Sequence, residues 1–453
     1  MALNKMNPEI MKTLCEEFKR NNHIHPELFE KHRVKRGLRN SDGTGVMAGL
    51  TRICNVHGYI VTDGDRVPDD GRLIYRGIDM NSIIDSCEKE QRFGFEEVVW
   101  LLLFGHLPNA KQLSSFTELL SECRTLPQNF NEDVIIKTPS SDIMNKLARC
   151  VLSLYTYDNN PDDTTVENVL NQSINLIAKL PVIMSYAYQV KRHVFNNESM
   201  YFHPLEKNHS TAEAVLNAIR PDRQFTQEEA LLLDLCLIMH AEHGGGNNST
   251  FAARVLSSSG TDTYSTISAA IGSLKGPRHG GANLKVMEML SYMKKGIKDC
   301  DDDEEIEAFL EKIIKKEAGD GSGLIYGLGH AVYTLSDPRA VILREKCLKM
   351  SAERGFIEDY KLINAVERLT PDVFARFKDE QKVISANVDL YSGLIYKMLN
   401  LSEDIFTPIF AIARVAGWCA HRIEEITTGG RIIRPAYKAI ETLKNYTPIG
   451  ERE

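Results

Sequence analysis

Three histidines in this chain share one setting, each beside glycines and each where a helical pattern stops or starts. They lie in HAEHGGGNN (residues 240–248), KGPRHGGAN (275–283) and YGLGHAVYT (326–334). Imidazole is the side chain best suited to holding or moving a proton near neutrality. Glycine on either side lets a ligand approach the backbone closely. A helical pattern begins just after His279, so the positive end of a helix dipole should disfavour the imidazolium and lower its pKa. A neutral imidazole can donate one hydrogen bond to an oxygen whose charge develops only in the transition state, as in an enolate. Near Asn247–Ser249 a helix restarts after three glycines, and its free N–H groups should favour an anion, with His243 pointing into that gap.

Two further residues complete the set. Asp389, in NVDLYSG, sits between Val388 and Leu390. An ordinary aspartate, with a pKa of about 3.9, is a poor base, and burial among such neighbours would strengthen it. A plain helix-capping role is the simpler reading of the same residue. In SDPRA, Asp337 reads as an N-cap, Pro338 as the first helical residue, and Arg339 falls in the first turn. An arginine there opposes the helix dipole, which calls for an anionic neighbour. HAEH is not HExxH and no third ligand is evident, so no metal site is expected. Buried structural roles remain open for His240 and His243.

These residues need rigid elements to hold them, and the pattern supplies mostly helices. Apolar residues recur at helical spacing in FEEVVWLLLFGHLP, QLSSFTELLSECRTLP and SDIMNKLARCVLSLYTYD, each ending at Gly, Pro or Asp. VENVLNQSINLIAKLPVIMSYAYQVKRHV carries Pro181 inside it, where a kink or break is expected. Residues 1–36 read as a polar, amphipathic arm ending in KHRVKR. Only the segment between Gly43 and Gly77 alternates in the manner of short strands and hairpins. The fold class is therefore all-α with a small β segment near the N-terminus.

At 453 residues the chain is long enough for two or three domains. Its net charge of −8 argues against non-specific nucleic-acid binding. An acidic protein that binds an anion must gather its cations locally. Nine cysteines without a CxxC pair suggest reduced thiols in a cytoplasmic protein. No presequence and no membrane span is expected.

Taken together, GRLIYRG (71–77), HAEHGGGN, GPRHGGAN, GLGHAV with SDPRA, NVDLYSG, ARVAGW (413–418) and IIRP (432–435) resemble, in order and spacing, the citrate synthase family, which includes 2-methylcitrate synthase. The resemblance covers roughly residues 44 to 437. It implies a two-domain helical fold: an N-terminal arm (1–43), a large domain (44–280 and 394–440), a small domain inserted into it (281–393) and a tail (441–453). It implies a homodimer that condenses acetyl-CoA with oxaloacetate and hydrolyses the citryl thioester, with acetyl-CoA as co-substrate and no cofactor or metal. On this resemblance Asp389 removes a proton from the acetyl methyl group, His279 stabilises the enolate, and His330 holds and protonates the ketone of oxaloacetate. His243, Arg339, Arg414 and, from the second subunit, Arg434 bind oxaloacetate. Ile325, Gly327, Gly329, Asn387 and Lys382 lie along coenzyme A.

The chain departs from the family pattern in places. Many relatives carry a basic residue between the loop histidine and DPR, where this chain has Tyr333, Thr334 and Leu335. Coenzyme A phosphates should then be met elsewhere, by Lys382 or Arg278. Ala436 stands where a second arginine is frequent. The nearest rival activity is 2-methylcitrate synthesis from propionyl-CoA, which would use every residue named. A metal-dependent hydrolase built on His240, Glu242 and His243, and a non-catalytic helical scaffold, are rivals from other classes.

Overall fold

The computed structural model describes residues 7–40, 42–63, 65–377 and 384–452; Lys382 lies outside them. The chain divides into two compact units, one of residues 1–50 with 61–67 and one of residues 51–60 with 68–453. In the first unit, α1 (Pro8–Asn21) is capped by Asn7, whose side chain accepts from the Glu9 N–H, and α2 (Pro26–Lys31) follows. Neither helix buries a residue, as the polar arm predicted.

Three strands in the order β1 (Cys54–Thr62), β2 (Asp65–Tyr75) and β3 (Ile78–Asp79) form the only sheet among the described residues. β2 and β3 pair antiparallel, with Ile74 opposite Asp79 and Tyr75 opposite Ile78. This is the β segment expected between Gly43 and Gly77.

The second unit is otherwise helical: α3 (Met80–Glu90), α4 (Phe95–Phe104), α5 (Ala110–Cys123), α6 (Ile143–Leu154), α7 (Val166–Asn196), α8 (Thr211–Ile219), α9 (Gln227–His240), α10 (Asn248–Ser258), α11 (Thr263–Lys275), α12 (Ala282–Gly296), α13 (Asp303–Ile314), α14 (Pro338–Ser351), α15 (Ile357–Phe377), α16 (Val388–Met398) and α17 (Phe406–Thr427). Local sequence sets many of their starts. Asn109 with Gln112, Ser210 with Glu213 and Thr226 with Glu229 form capping boxes on α5, α8 and α9. α17 is buried from Phe406 to Arg422 and packs against α4, α6, α7, α9, α10, α11 and α12. It is the axis of the core.

The break expected at Pro181 does not occur, and α7 runs through it without interruption. Residues on both sides of the proline are buried, and α7 packs on α5, α6, α8 and α17. Tertiary packing here outweighs the lost backbone hydrogen bond. No helix among the described residues is long and apolar enough to cross a membrane.

Candidate active site

Four loop-to-helix junctions converge in the second unit. The turn after α9 carries His243, the turn before α12 carries His279, the loop before α14 carries His330, and the first turn of α16 carries Asp389. Buried α17 supplies Arg414 from below, fully enclosed.

His279 is fastened from behind by Ser249. The Ser249 backbone N–H donates to Nε2 at 3.3 Å, and the Ser249 hydroxyl lies 2.9 Å from the same nitrogen. Trp418 Nε1 donates to that hydroxyl at 3.1 Å, so the serine is itself held in place. With Nε2 accepting, the neutral ring carries its proton on Nδ1. The ring does stay neutral: burial, aided by the Arg414 charge, brings His279 down to about 4. The direction expected from the sequence holds, and its causes are burial first and then the Arg414 charge. Of the N–H groups near the start of α10, that of Ser249 is taken by His279.

His330 is set the opposite way. The backbone N–H groups of Val332 and Tyr333 both donate to its Nδ1, at 3.1 and 3.0 Å. Its proton therefore sits on Nε2. The Tyr333 ring stacks on His330 at 4.5 Å between centroids, and His243 meets His330 edge-on at 5.0 Å. His243 is buried and held neutral by burial, then by the Arg339 and Arg414 charges.

The anion expected beside Arg339 is its own capping residue. Asp337 accepts from Arg339 Nε at 3.0 Å and Nη2 at 2.7 Å while capping the Arg339 N–H at 3.0 Å. Burial works against the guanidinium charge, and Asp337 more than offsets it. Arg414 is less satisfied. Its Nε donates to the His240 carbonyl at 2.6 Å, while Nη1 and Nη2 are buried with no hydrogen-bond partner, as is Nε2 of His243. Buried donors left open in this way fit a bound anion.

Asp389 does not cap its helix. Asn387 is the cap and accepts the Asp389 N–H at 3.0 Å, leaving the aspartate carboxyl free of that duty. Burial raises Asp389 to about 7 against the pull of Arg339 and Arg414. That poises it to take a proton near neutral pH.

Beside this cluster, Gly327 and Gly329 adopt φ of +82° and +84°, and a Cβ on Gly327 would lie 2.8 Å from Leu390. The Asn387 N–H donates to Gly327 O at 2.9 Å, and its side chain to Gly329 O at 3.0 Å. Ile325 is buried behind them. Arg278 is exposed next to His279. Arg434 is not brought to the cluster in the single chain; it lies exposed in the segment after α17.

The residues of the alternative metal site are otherwise engaged. His240 Nε2 is 3.0 Å from the Tyr396 hydroxyl, and Glu242 bonds His421 at 3.0 Å. Among the described residues no group of three or more His, Cys, Asp or Glu could hold a metal ion. Sequence reading missed Ser249 and Trp418 as the backing of His279. It also missed Thr334, which donates to the Gly58 carbonyl and accepts the Asp69 N–H at 3.3 Å, tying the histidine loop to β1 and β2.

Residues 40–436 match the family described as "Citrate synthase, C-terminal domain". The citrate synthase of Synechocystis sp. is 31% identical, over 90% of this chain and 92% of its own length. A 2-methylcitrate synthase from Shewanella oneidensis is also 31% identical, over 80% of this chain and 87% of its own. The ternary complex of citrate synthase from Thermoplasma acidophilum with carboxymethyl coenzyme A and oxaloacetate superposes with a TM-score of 0.74 at 27% identity. That match covers 92% of this chain and 99% of the other. With the motifs in order and the site assembled around them, the chain belongs to the citrate synthase family, and it is an acyltransferase.

Proposed function

We propose that the protein condenses acetyl-CoA with oxaloacetate and hydrolyses the resulting thioester to citrate and coenzyme A. The observation that carries this reading is the pairing of a burial-raised carboxylate, Asp389, with two neutral imidazoles whose protons are fixed on opposite nitrogens. Asp389 takes a proton from the acetyl methyl group. His279 donates from Nδ1 to the thioester oxygen as enolate charge develops there. The enolate carbon attacks the oxaloacetate ketone, and His330 supplies its Nε2 proton to the new alkoxide. Water then cleaves the thioester in the same cavity.

Arg414, with two open Nη groups, His243 and Arg339 grip the dicarboxylate. Bidentate guanidinium contacts fix its orientation, where misplacement by about an ångström costs on the order of a hundredfold in rate. Arg434 reaches this clamp from the second copy in a homodimer. Ile325, Gly327, Gly329 and Asn387 line coenzyme A. Residues 281–393 act as a small lobe that closes on the large one and excludes water. Reduced cysteines, all nine free, suit the cytoplasm.

Release of coenzyme A thiol, followed with oxaloacetate and either acetyl-CoA or propionyl-CoA, tests the proposal. Faster turnover with acetyl-CoA is expected, and no thiol release with either donor would overturn it. The 2-methylcitrate synthase at 31% identity keeps propionyl-CoA as the alternative. One methylene is worth only about 1–3 kcal/mol of discrimination, so a higher kcat/KM with propionyl-CoA would transfer the assignment to that reaction.

A further inference from the structure

Between α9 and α14 lies a half-open groove of about 650 Å³, walled by α3, by α9 from Gln227 to Ile238 and by the C-terminal end of α14; none of the candidate catalytic or clamp residues lines it. Sites for small organic ligands run to roughly 300–1,000 Å³. The floor is apolar, made by Leu231, Leu235, Ile238 and Met350 with the Cys87 thiol. Burial pushes that thiol up to about 12, so it behaves as a small apolar group.

The charges around the groove are mostly committed. Glu88 pairs with Lys346, Glu228 with Arg354 at 3.5 Å, and Arg92 with Glu90 and Glu97. Asp234 accepts the Gly94 N–H at 2.7 Å and the Phe95 N–H at 3.3 Å, holding the start of α4. Among the described residues Lys89 and Lys349 remain without an ion pair, against the single carboxylate of Asp85. The free charge is two ammonium groups against one carboxylate, a net positive charge beside an apolar floor. That combination complements a molecule with an apolar body and one acidic group.

We infer that this groove is a second ligand site for an amphipathic organic anion, and that its occupant is coupled to the oxaloacetate clamp. Both helices that wall it run directly to the catalytic cluster. The C-terminal end of α9 offers the His240 carbonyl to Arg414 at 2.6 Å, and the N-terminal end of α14 carries Asp337 and Arg339. The coupling rests on the proposed reading, in which α9 belongs to the large lobe and α14 to the small one. A ligand that fits the gap between them favours this arrangement of the two arginines. Binding linkage is reciprocal, so oxaloacetate must tighten the ligand by the same factor.

Anilinonaphthalene sulfonate, a fluorescent amphipathic anion, is the probe for the intact folded enzyme, with octanoate as competitor. Saturable fluorescence is expected that octanoate displaces and coenzyme A does not. It should be lost when Leu231→Trp fills the half-exposed floor, and weakened by Lys89→Glu with Lys349→Glu at exposed positions. Unchanged probe binding in these variants, with wild-type circular dichroism, would overturn the site, as would displacement by coenzyme A. Oxaloacetate should tighten the probe by about fivefold or more, and saturating probe should lower the Kd for oxaloacetate by the same factor. Probe binding indifferent to oxaloacetate would overturn the coupling. Because the probe reads the groove without turnover, its failure is distinguishable from failure of the condensation activity.

Discussion

A base that removes a proton from carbon must be poorly solvated without being stripped of its charge. Asp389 meets both demands, since burial raises it to about 7 while Arg339 and Arg414 keep ionisation within reach. The free enzyme should therefore show kcat/KM rising with pH through about 7 as this carboxyl ionises. Stability should run the other way. From the ordinary value of 3.8 up to about 7 the unfolded chain has lost a proton that the folded one still holds, so stability contributed by this group falls as pH rises. Asp389→Asn should then abolish condensation while raising the melting temperature of the ligand-free protein at pH above about 7, with little change below about 4. A variant with near-normal turnover, or one with no thermal gain at the higher pH, would contradict the assignment. The glycine-flanked histidines and Asp389 were legible in the sequence because their neighbours are unusual. Ser249 and Trp418 were not, because the 3.3 and 3.1 Å bonds that fix the His279 tautomer join residues 30 and 169 positions apart. The Asp337 partner of Arg339 was half legible, as its capping role could be read and its fork to the guanidinium could not.

At the scale of elements, the loop of His330 is held less by its own helix than by the strands beneath it. A Cβ on Gly58 would lie 2.7 Å from the Tyr333 Cα, and one on Gly71 would lie 2.0 Å from the Ser336 carbonyl, so loop and strands touch backbone to backbone. Thr334 and Ser336 close the contact with hydrogen bonds to Gly58, Asp69 and Gly71. The position where a basic residue was expected is thus used as a latch. Thr334→Val keeps the shape and removes the side-chain bonds to the Gly58 carbonyl and the Asp69 N–H. The cost is about 1–3 kcal/mol, on the order of tenfold in kcat/KM where it falls on the loop. Steady-state kinetics should show a raised KM for oxaloacetate with the pH midpoint set by Asp389 unchanged. An unaltered kcat/KM would remove the latch from the account. A helix start was readable where cap and first residue are plain, as at Asp337 and Pro338 of α14. Continuity through Pro181 was not, because it depends on what α7 packs against.

The whole molecule poses a question that the single chain leaves open at its end. Beyond Thr427 the backbone leaves helix, and Ile432, Tyr437, Leu443, Tyr446 and Ile449 stand exposed along it, Leu443 fully so. Such a row of apolar side chains suits burial against another surface. Arg434 lies in this same segment, away from the clamp of its own chain. If it serves the site of a second copy, two inactive variants should repair each other. Arg434→Ala keeps a sound base but cannot supply the arginine, and Asp389→Asn supplies the arginine but has no base. In a mixed dimer, one site then joins an intact Asp389 to an intact Arg434 from the neighbour, while the other site lacks both. Dimers carrying two different tags and purified through both should recover about half of the wild-type activity per dimer, as expected for one rebuilt site of two under twofold symmetry. A mixed dimer as inactive as its parents would mean that Arg434 acts within its own chain or not at all.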